Sequence, residues 1–236
     1  VDASGKRLEE STNGALTNNG LITNGENLSS PMADKEEGVG EQHSPAVLLD
    51  SNAETYFHTS WHGGDDAWKG NHFLQFKLDN PESELLLKWV KRLNGKSALA
   101  NGAPVRVAFW GTNDASKLEV TKTTSTNADG AEVINYDAWK KDGWDSLTIS
   151  TFTYPYALQL DDATKINNAV GTAHFKAPKA YKYYRMEVLT NGGNNAMAAG
   201  NKFFYGSEFR VYKGAFDKVA SPIASVPEAD VTALKD

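Results

Sequence analysis

The chain has 236 residues with a formal net charge of −6, a size that suits one large domain with tails or two small domains. Hydrophobic residues make up 40%, enough for a sizeable core, and the acidic balance argues against a nucleic-acid-binding surface. The absence of cysteine excludes disulfides and thiolate metal sites, and no stretch approaches the ~20 apolar residues of a membrane helix.

The N-terminal part of the chain is polar. Residues 1–19 are rich in Asn, Ser and Thr and are predicted to form a linker, or a weak helix followed by a turn. Because residue 1 is Val and no signal peptide is visible, we expect the sequence to be a mature fragment or an excised piece. Residues 27–45 carry a charged run and two prolines, which is typical of a surface loop.

Residues 48–61 (LLDSNAETYFHTSW) form the most informative segment, an apolar start that runs into a polar loop and then turns aromatic. Its carboxylate, amide and hydroxyl groups are oxygen donors that suit a hard cation such as calcium. The histidine and tryptophan that follow suit a polar, planar ligand such as a sugar.

The rest of the chain shows the patterns of strands. Six segments have apolar residues in alternation or in short continuous runs: 72–78, 84–90, 105–109, 147–152, 182–189 and 207–212. Clusters of Asn, Asp, Gly and Pro separate them, and no amphipathic helix intervenes. This order predicts an all-β sandwich or barrel. Residues 215–236 are predicted to be a linker that reaches the start of a following domain.

Six of these pieces occur in the order found in discoidin domains, also called coagulation factor type C domains. The pieces are residues 48–55 (LLDSNAET), 56–61 (YFHTSW), 72–78 (HFLQFKL), 109–114 (FWGTND), 183–188 (YYRMEV) and 207–212 (SEFRVY). The chain therefore resembles that family over residues 20–214. The resemblance departs at Ser51, where the family usually has Gly, and residues 117–141 are longer than a minimal member needs.

The resemblance implies a galactose-binding-domain-like jelly-roll sandwich that binds a ligand and catalyses no reaction. Bacterial members include family 32 carbohydrate-binding modules, so the implied protein is a carbohydrate-binding domain of a larger exported bacterial protein, outside the cytoplasm. The implied partner is a glycan or cell-surface polysaccharide, with no nucleic acid and no membrane insertion. The alternative is a protein-interaction or structural spacer domain of a cell-surface protein. The oligomeric state stays open.

The family also implies a structural calcium ion held by the loop and the last strand. The matching residues are Asp50, Asn52, Thr55 and Glu208, with backbone carbonyls nearby. The alternative is that Asp50 and Thr55 cap a turn through bonds from their side chains to the backbone.

Carbohydrate-binding members of the family commonly use a histidine after the cation loop, an arginine at the end of a later strand and an asparagine just beyond it. The matching residues are His58, Arg92 and Asn94, and Trp61 and Trp68 could supply a stacking face. The alternatives are a His58 packed beneath the loop and a Trp61 in the core. Trp68 lies in a polar stretch and is the better candidate for an exposed aromatic.

An enzyme is not expected. His58 and His62 are four residues apart, but the segment between them lacks the helix and the glutamate that a zinc hydrolase motif requires. The chain also has no Gly-x-Ser-x-Gly motif and no phosphate-binding loop.

Overall fold

A computed structural model describes residue 16 and residues 18–33, 41–60, 71–94, 97–98, 101–120, 123–126, 128–130, 132–135, 142–154, 170–192 and 203–214. The strands are β1 (Leu28–Ser29), β2 (Glu41–Gln42), β3 (Tyr56–His58), β4 (Phe73–Val90), β5 (Leu93–Asn94), β6 (Ser97–Ala98), β7 (Pro104–Thr112), β8 (Thr123–Thr126), β9 (Glu132–Asn135), β10 (Asp145–Thr151), β11 (Val170–Asn191), β12 (Tyr205–Gly206) and β13 (Glu208–Lys213). Short 3₁₀ helices span Gly25–Asn27, Pro45–Leu49 and Ala115–Leu118.

The strands form one large sheet and three small ones. The large sheet has the order β1–β4–β11–β7–β10, and β13 pairs with β4 as its sixth strand. A three-stranded sheet has the order β12–β3–β2, and the pairs β5–β6 and β8–β9 form two hairpins. The predicted all-β sandwich is confirmed. Within the described ranges, no helix has the length and apolar character needed to cross a membrane.

The strand β4 bends so that both of its halves line the same core. The rings of Phe76 and Trp89 lie 5.6 Å and 5.7 Å from the ring of Phe209. In a straight strand their thirteen-residue separation would place them roughly 40 Å apart. The sequence predicted two separate strands at residues 72–78 and 84–90 with a turn cluster (Asp79, Asn80, Pro81) between them, whereas the structure has one continuous strand that changes direction between its two paired halves.

The strand β11 pairs with both halves of β4 and follows the same bend. Its register runs from Val170 opposite Val90 to Glu187 opposite Phe73, with an irregularity between Lys176 and Tyr181. Such irregularities let one strand pass from one layer of a sandwich to the other. At the bend, residues 78–81 of β4 and 177–180 of β11 have no partner in this pairing. Pro81 and Pro178, which cannot donate a backbone hydrogen bond, lie in these two stretches.

Aromatic side chains fill the centre of the core. Trp89 is fully buried and makes edge-to-face or tilted contacts with Phe152, Phe204 and Phe209. Its indole N–H donates to the Tyr205 carbonyl over 3.1 Å, which satisfies the one polar atom of the side chain. These contacts fix the chain around β12 against β4, and β12 carries part of the candidate site.

Candidate functional site

The small sheet β12–β3–β2 brings three rings together at one end of the sandwich. Tyr205 of β12 pairs with His58 of β3, and their ring centroids are 5.0 Å apart. The ring of Phe203 lies 5.2 Å from His58 and stacks on Tyr205 at 5.9 Å. The rings of Tyr205 and His58 meet because β12 and β3 pair, and paired strands place directly opposite side chains close together.

Arg92 extends over this group of rings from the end of β4. Its guanidinium carbon lies 3.7 Å from the centroid of the Tyr56 ring and 5.6 Å from that of Tyr205. Both distances are those of cation–π contacts. The side chain is half-buried, and its Nε is a buried atom with no hydrogen-bond partner among the described residues. The two tyrosine faces therefore hold the guanidinium in one orientation.

The tyrosines below Arg92 are themselves held in place. The Tyr56 hydroxyl donates to the carboxylate of Glu41 over 3.1 Å. The backbone N–H of Tyr205 donates to the Gly102 carbonyl over 3.0 Å, and a Cβ at Gly102 would lie 2.4 Å from the Tyr205 ring. Burial raises the pKa of Tyr205, and the positive charge of Arg92 opposes that shift. Both rings are thus held in fixed positions.

His58 lies beneath the rings with only 4% of its surface exposed. Its Nδ1 is 2.5 Å from the Thr59 carbonyl oxygen, so this nitrogen carries the hydrogen and donates it. The placement corresponds to the packed histidine that the sequence left open as an alternative, and it suits a residue that orients Tyr205 and Phe203.

The other three predicted ligand contacts are Trp61, Trp68 and Asn94. Trp61 and Trp68 lie outside the described residues. Asn94 is in β5, where its backbone pairs with Ser97, and its side chain is outside the described set. The structure thus connects His58 and Arg92 through the ring of Tyr205, which the sequence did not predict as part of the site.

The missed residues are Tyr56, Phe203 and Tyr205. Their signal in the sequence is weak, because aromatic residues beside buried strands are common in any β-sandwich core. The aromatic run at residues 203–205, just before the last strand, is the one pattern that could have drawn attention to them.

The predicted cation loop is closed by its own side chains. The Asp50 carboxylate accepts from the Asn52 backbone N–H over 2.8 Å and from the Thr55 hydroxyl over 2.6 Å. The Thr55 hydroxyl is also 2.9 Å from the Asn52 carbonyl oxygen. These bonds are the turn-capping pattern of Asp and Thr. They also gather the carboxylate, carbonyl and hydroxyl oxygens that the sequence predicted as cation ligands.

Glu208 meets this loop from the last strand. The neighbouring Ser207 hydroxyl donates to the Ala53 carbonyl over 3.0 Å, which fastens the loop to the strand. Glu208 is fully buried and forms an ion pair with Arg210. Burial raises the pKa of Glu208 to about 8, Arg210 opposes this shift, and the charge of Asp50 adds to it. The two carboxylates are therefore close enough to interact.

These donors fit calcium chemically. Calcium takes six to eight oxygen ligands, many of them carbonyls. A dehydrated carboxylate such as that of Glu208 gains most from a nearby positive charge. Among the described residues no cluster of three or more His, Cys, Asp or Glu side chains forms a metal site. Backbone and hydroxyl oxygens would therefore have to supply most of the coordination.

No family model matches the sequence, and no curated protein matches it. Solved structures do. The chain is similar in structure to family 32 carbohydrate-binding modules. One is the third such module of a family 31 glycoside hydrolase from Clostridium perfringens, with 15% identity, 83% of this chain and 96% of that one covered, and a TM-score of 0.47.

Two further structures have similar values. The C-terminal domain of a chitobiase from Bacteroides fragilis is 15% identical, with 80% of this chain and 95% of that one covered and a TM-score of 0.46. The family 32 module of C. perfringens NanJ, in complex with galactose, is 17% identical, with 81% and 97% covered and a TM-score of 0.42.

Proposed function

We propose that the protein is a non-catalytic carbohydrate-binding domain of an exported bacterial protein, and that its ligand is a glycan or cell-surface polysaccharide. The observation that carries this proposal is Arg92, whose half-buried side chain has its guanidinium held against the faces of Tyr56 and Tyr205. A guanidinium held in one orientation is a fixed, multivalent hydrogen-bond donor, which is the kind of polar group that orients a sugar through its hydroxyls.

The roles follow from the placements. Arg92 donates to sugar hydroxyls in the fork geometry that only a guanidinium provides. Tyr56 and Tyr205 hold the guanidinium plane, and His58 orients Tyr205 from below. Asn94, Trp61 and Trp68 remain predicted ligand contacts, with a tryptophan supplying the face on which the sugar stacks.

Binding of this kind is an equilibrium with no chemical step. A single domain with few donors is expected to bind weakly and to gain strength when several copies or neighbouring domains engage one polysaccharide. We accordingly place the protein outside the cytoplasm, where such polysaccharides are found.

We also propose that the loop of residues 50–55 can hold a structural calcium ion. Asp50, Asn52, Thr55 and Glu208 would supply the protein oxygens, and the buried carboxylate of Glu208 is the observation that supports this. When bound, the ion would join the loop to the last strand. The chain's own bond between Ser207 and Ala53 makes the same connection without metal.

A glycan array followed by isothermal titration calorimetry tests the sugar proposal. The expected result is binding of at least one glycan class with a roughly millimolar to micromolar Kd, which corresponds to about 4–8 kcal/mol. Absence of binding to every glycan at millimolar concentration would overturn the proposal and favour a spacer or protein-interaction domain. Binding that persists in calcium-free buffer would separate the sugar site from the cation loop.

A further inference from the structure

Arg210 of β13 is a fully buried cation that points at the candidate calcium loop. Its guanidinium forms an ion pair with Glu208, which is also fully buried. A buried arginine is rare because removing its charge from water is costly unless surrounding groups replace that water. Polar groups around Arg210 must therefore replace the water that its charge has lost.

Five oxygen-bearing groups surround this guanidinium. Besides the carboxylate, it donates to the Leu48 carbonyl, to the Phe209 carbonyl at 2.8 Å, to the Leu16 carbonyl at 2.7 Å and to the Ser51 hydroxyl at 3.3 Å. Three carbonyls, one hydroxyl and one carboxylate make up the kind of oxygen shell that surrounds a hard cation. Here the cation is a side chain of the protein.

The contacts join three segments that are distant in sequence. Leu16 belongs to the predicted N-terminal linker, yet it is 2% exposed and its carbonyl accepts from Arg210. Leu48 lies two residues before Asp50 and Ser51 directly after it, at the start of the loop. The guanidinium thus connects the N-terminal segment and the loop to the last strand, which is the connection expected of the calcium ion.

Ser51 provides an independent observation for the same role. It is the one described non-glycine residue with a positive φ, 60°, a conformation that costs a residue with a Cβ about 1–2 kcal/mol. The resembling family usually has Gly here, which adopts this conformation freely. Serine keeps the backbone geometry and adds a hydroxyl, and that hydroxyl lies within hydrogen-bond distance of Arg210.

We propose that Arg210 is an internal cation for this loop: its guanidinium stabilises the metal-free fold by binding Glu208 and the surrounding oxygens, and it competes with calcium for Glu208. The inference rests on the calcium part of the proposed function and is independent of the sugar site. Two positive groups cannot share one carboxylate without repulsion. The wild-type loop therefore binds calcium weakly, and the fold does not depend on it.

The test is a comparison of melting temperatures and calcium affinities for the wild type, Arg210→Met and Arg106→Met. Methionine keeps much of the arginine volume without its charge, and Arg106 is an exposed arginine on β7 that serves as the matched control. Each protein is melted after EDTA treatment and again with excess calcium, and calcium binding is measured by isothermal titration calorimetry.

The wild type and Arg106→Met should show nearly the same melting temperature in both buffers. Arg210→Met should melt lower in EDTA, recover with calcium, and bind calcium on the order of tenfold or more tightly than the wild type because the repulsion is gone. A wild type that loses its fold in EDTA would overturn the proposal. So would an Arg210→Met protein that folds and does not respond to calcium.

One further variant covers the case in which Arg210→Met does not fold without metal. Refolding of that variant by calcium alone supports the proposal, and failure to refold in either buffer is resolved by Arg210→Met combined with Glu208→Gln. Removing both charges should restore the metal-free fold, since an unpaired buried charge costs more than none. If the double variant is as unstable as the single one, Arg210 acts through packing and the inference fails. Sugar binding is expected to persist in every folded variant.

Discussion

Replacement of Arg92 tests the geometry of the proposed sugar site most directly. A cation–π contact is worth about 0.5–1 kcal/mol at an exposed site and about 2 kcal/mol when desolvated. Arg92 is half-buried and lies 3.7 Å from one ring and 5.6 Å from another. Arg92→Ala should therefore lower the free energy of unfolding by about 1–3 kcal/mol, measured by urea denaturation.

Replacement of Arg92 should also weaken glycan binding. A hydrogen bond from a charged group is worth about 1.5–3 kcal/mol, so losing it should raise the Kd for the glycan roughly 10- to 150-fold. Arg92→Lys keeps the charge but loses the planar fork, and it should lose at least about tenfold in affinity with little change in stability. Titration calorimetry measures the Kd of both Arg92 variants, with Arg106→Ala as the exposed control.

Two results would refute the reasoning about Arg92. The first is Arg92→Ala binding the glycan with wild-type affinity, which would place the site elsewhere. The second is a loss of affinity in Arg92→Ala that disappears once the unfolded fraction is accounted for. In that case the guanidinium only supports Tyr56 and Tyr205, and the ligand donors belong to other residues.

Two other residues give predictions about stability. Burial lowers the pKa of Lys91 from 10.5 to about 8, so the unfolded state binds this proton more tightly than the folded state does. The free energy of unfolding should therefore rise with pH between about 8 and 10.5, by at most about 3 kcal/mol. Urea titrations at several pH values should lose this slope in Lys91→Met; a slope that persists would assign it to another group. A Cβ at Gly206 would lie 2.3 Å from the indole nitrogen of Trp89, so Gly206→Ala should cost about 1–3 kcal/mol, and an unchanged midpoint would contradict this packing.

The alternation of apolar residues was enough to predict the strands, because one buried face imposes a period of two. The segments at residues 72–78 and 84–90 were both identified, but not their continuity in β4. Local patterns do not distinguish a turn from a bend, since proline and polar residues favour both. The decision depends on the partner strand β11, whose pairing with both halves of β4 is a long-range property.

The site was predictable in part for a similar reason. The resemblance pointed to His58 and Glu208 through motifs that are continuous in sequence, and to Arg92 through its position at the end of a strand. The rings of Tyr56 and Tyr205, by contrast, become a platform only when β3 and β12 pair. The role of Arg210 was hidden as well, because nothing in the sequence shows that an arginine between apolar residues of a strand contacts a loop residue 159 positions earlier.

The two bent strands also determine how the molecule comes apart. Because β4 and β11 each run through both halves of the sandwich, neither half can open without breaking hydrogen bonds that the other half shares. Amide protons at Phe76 and Trp89 should therefore exchange with solvent at similar rates, set by global unfolding. Folding must likewise wait for segments about a hundred residues apart to meet, so it is expected to be slow and to show a single transition.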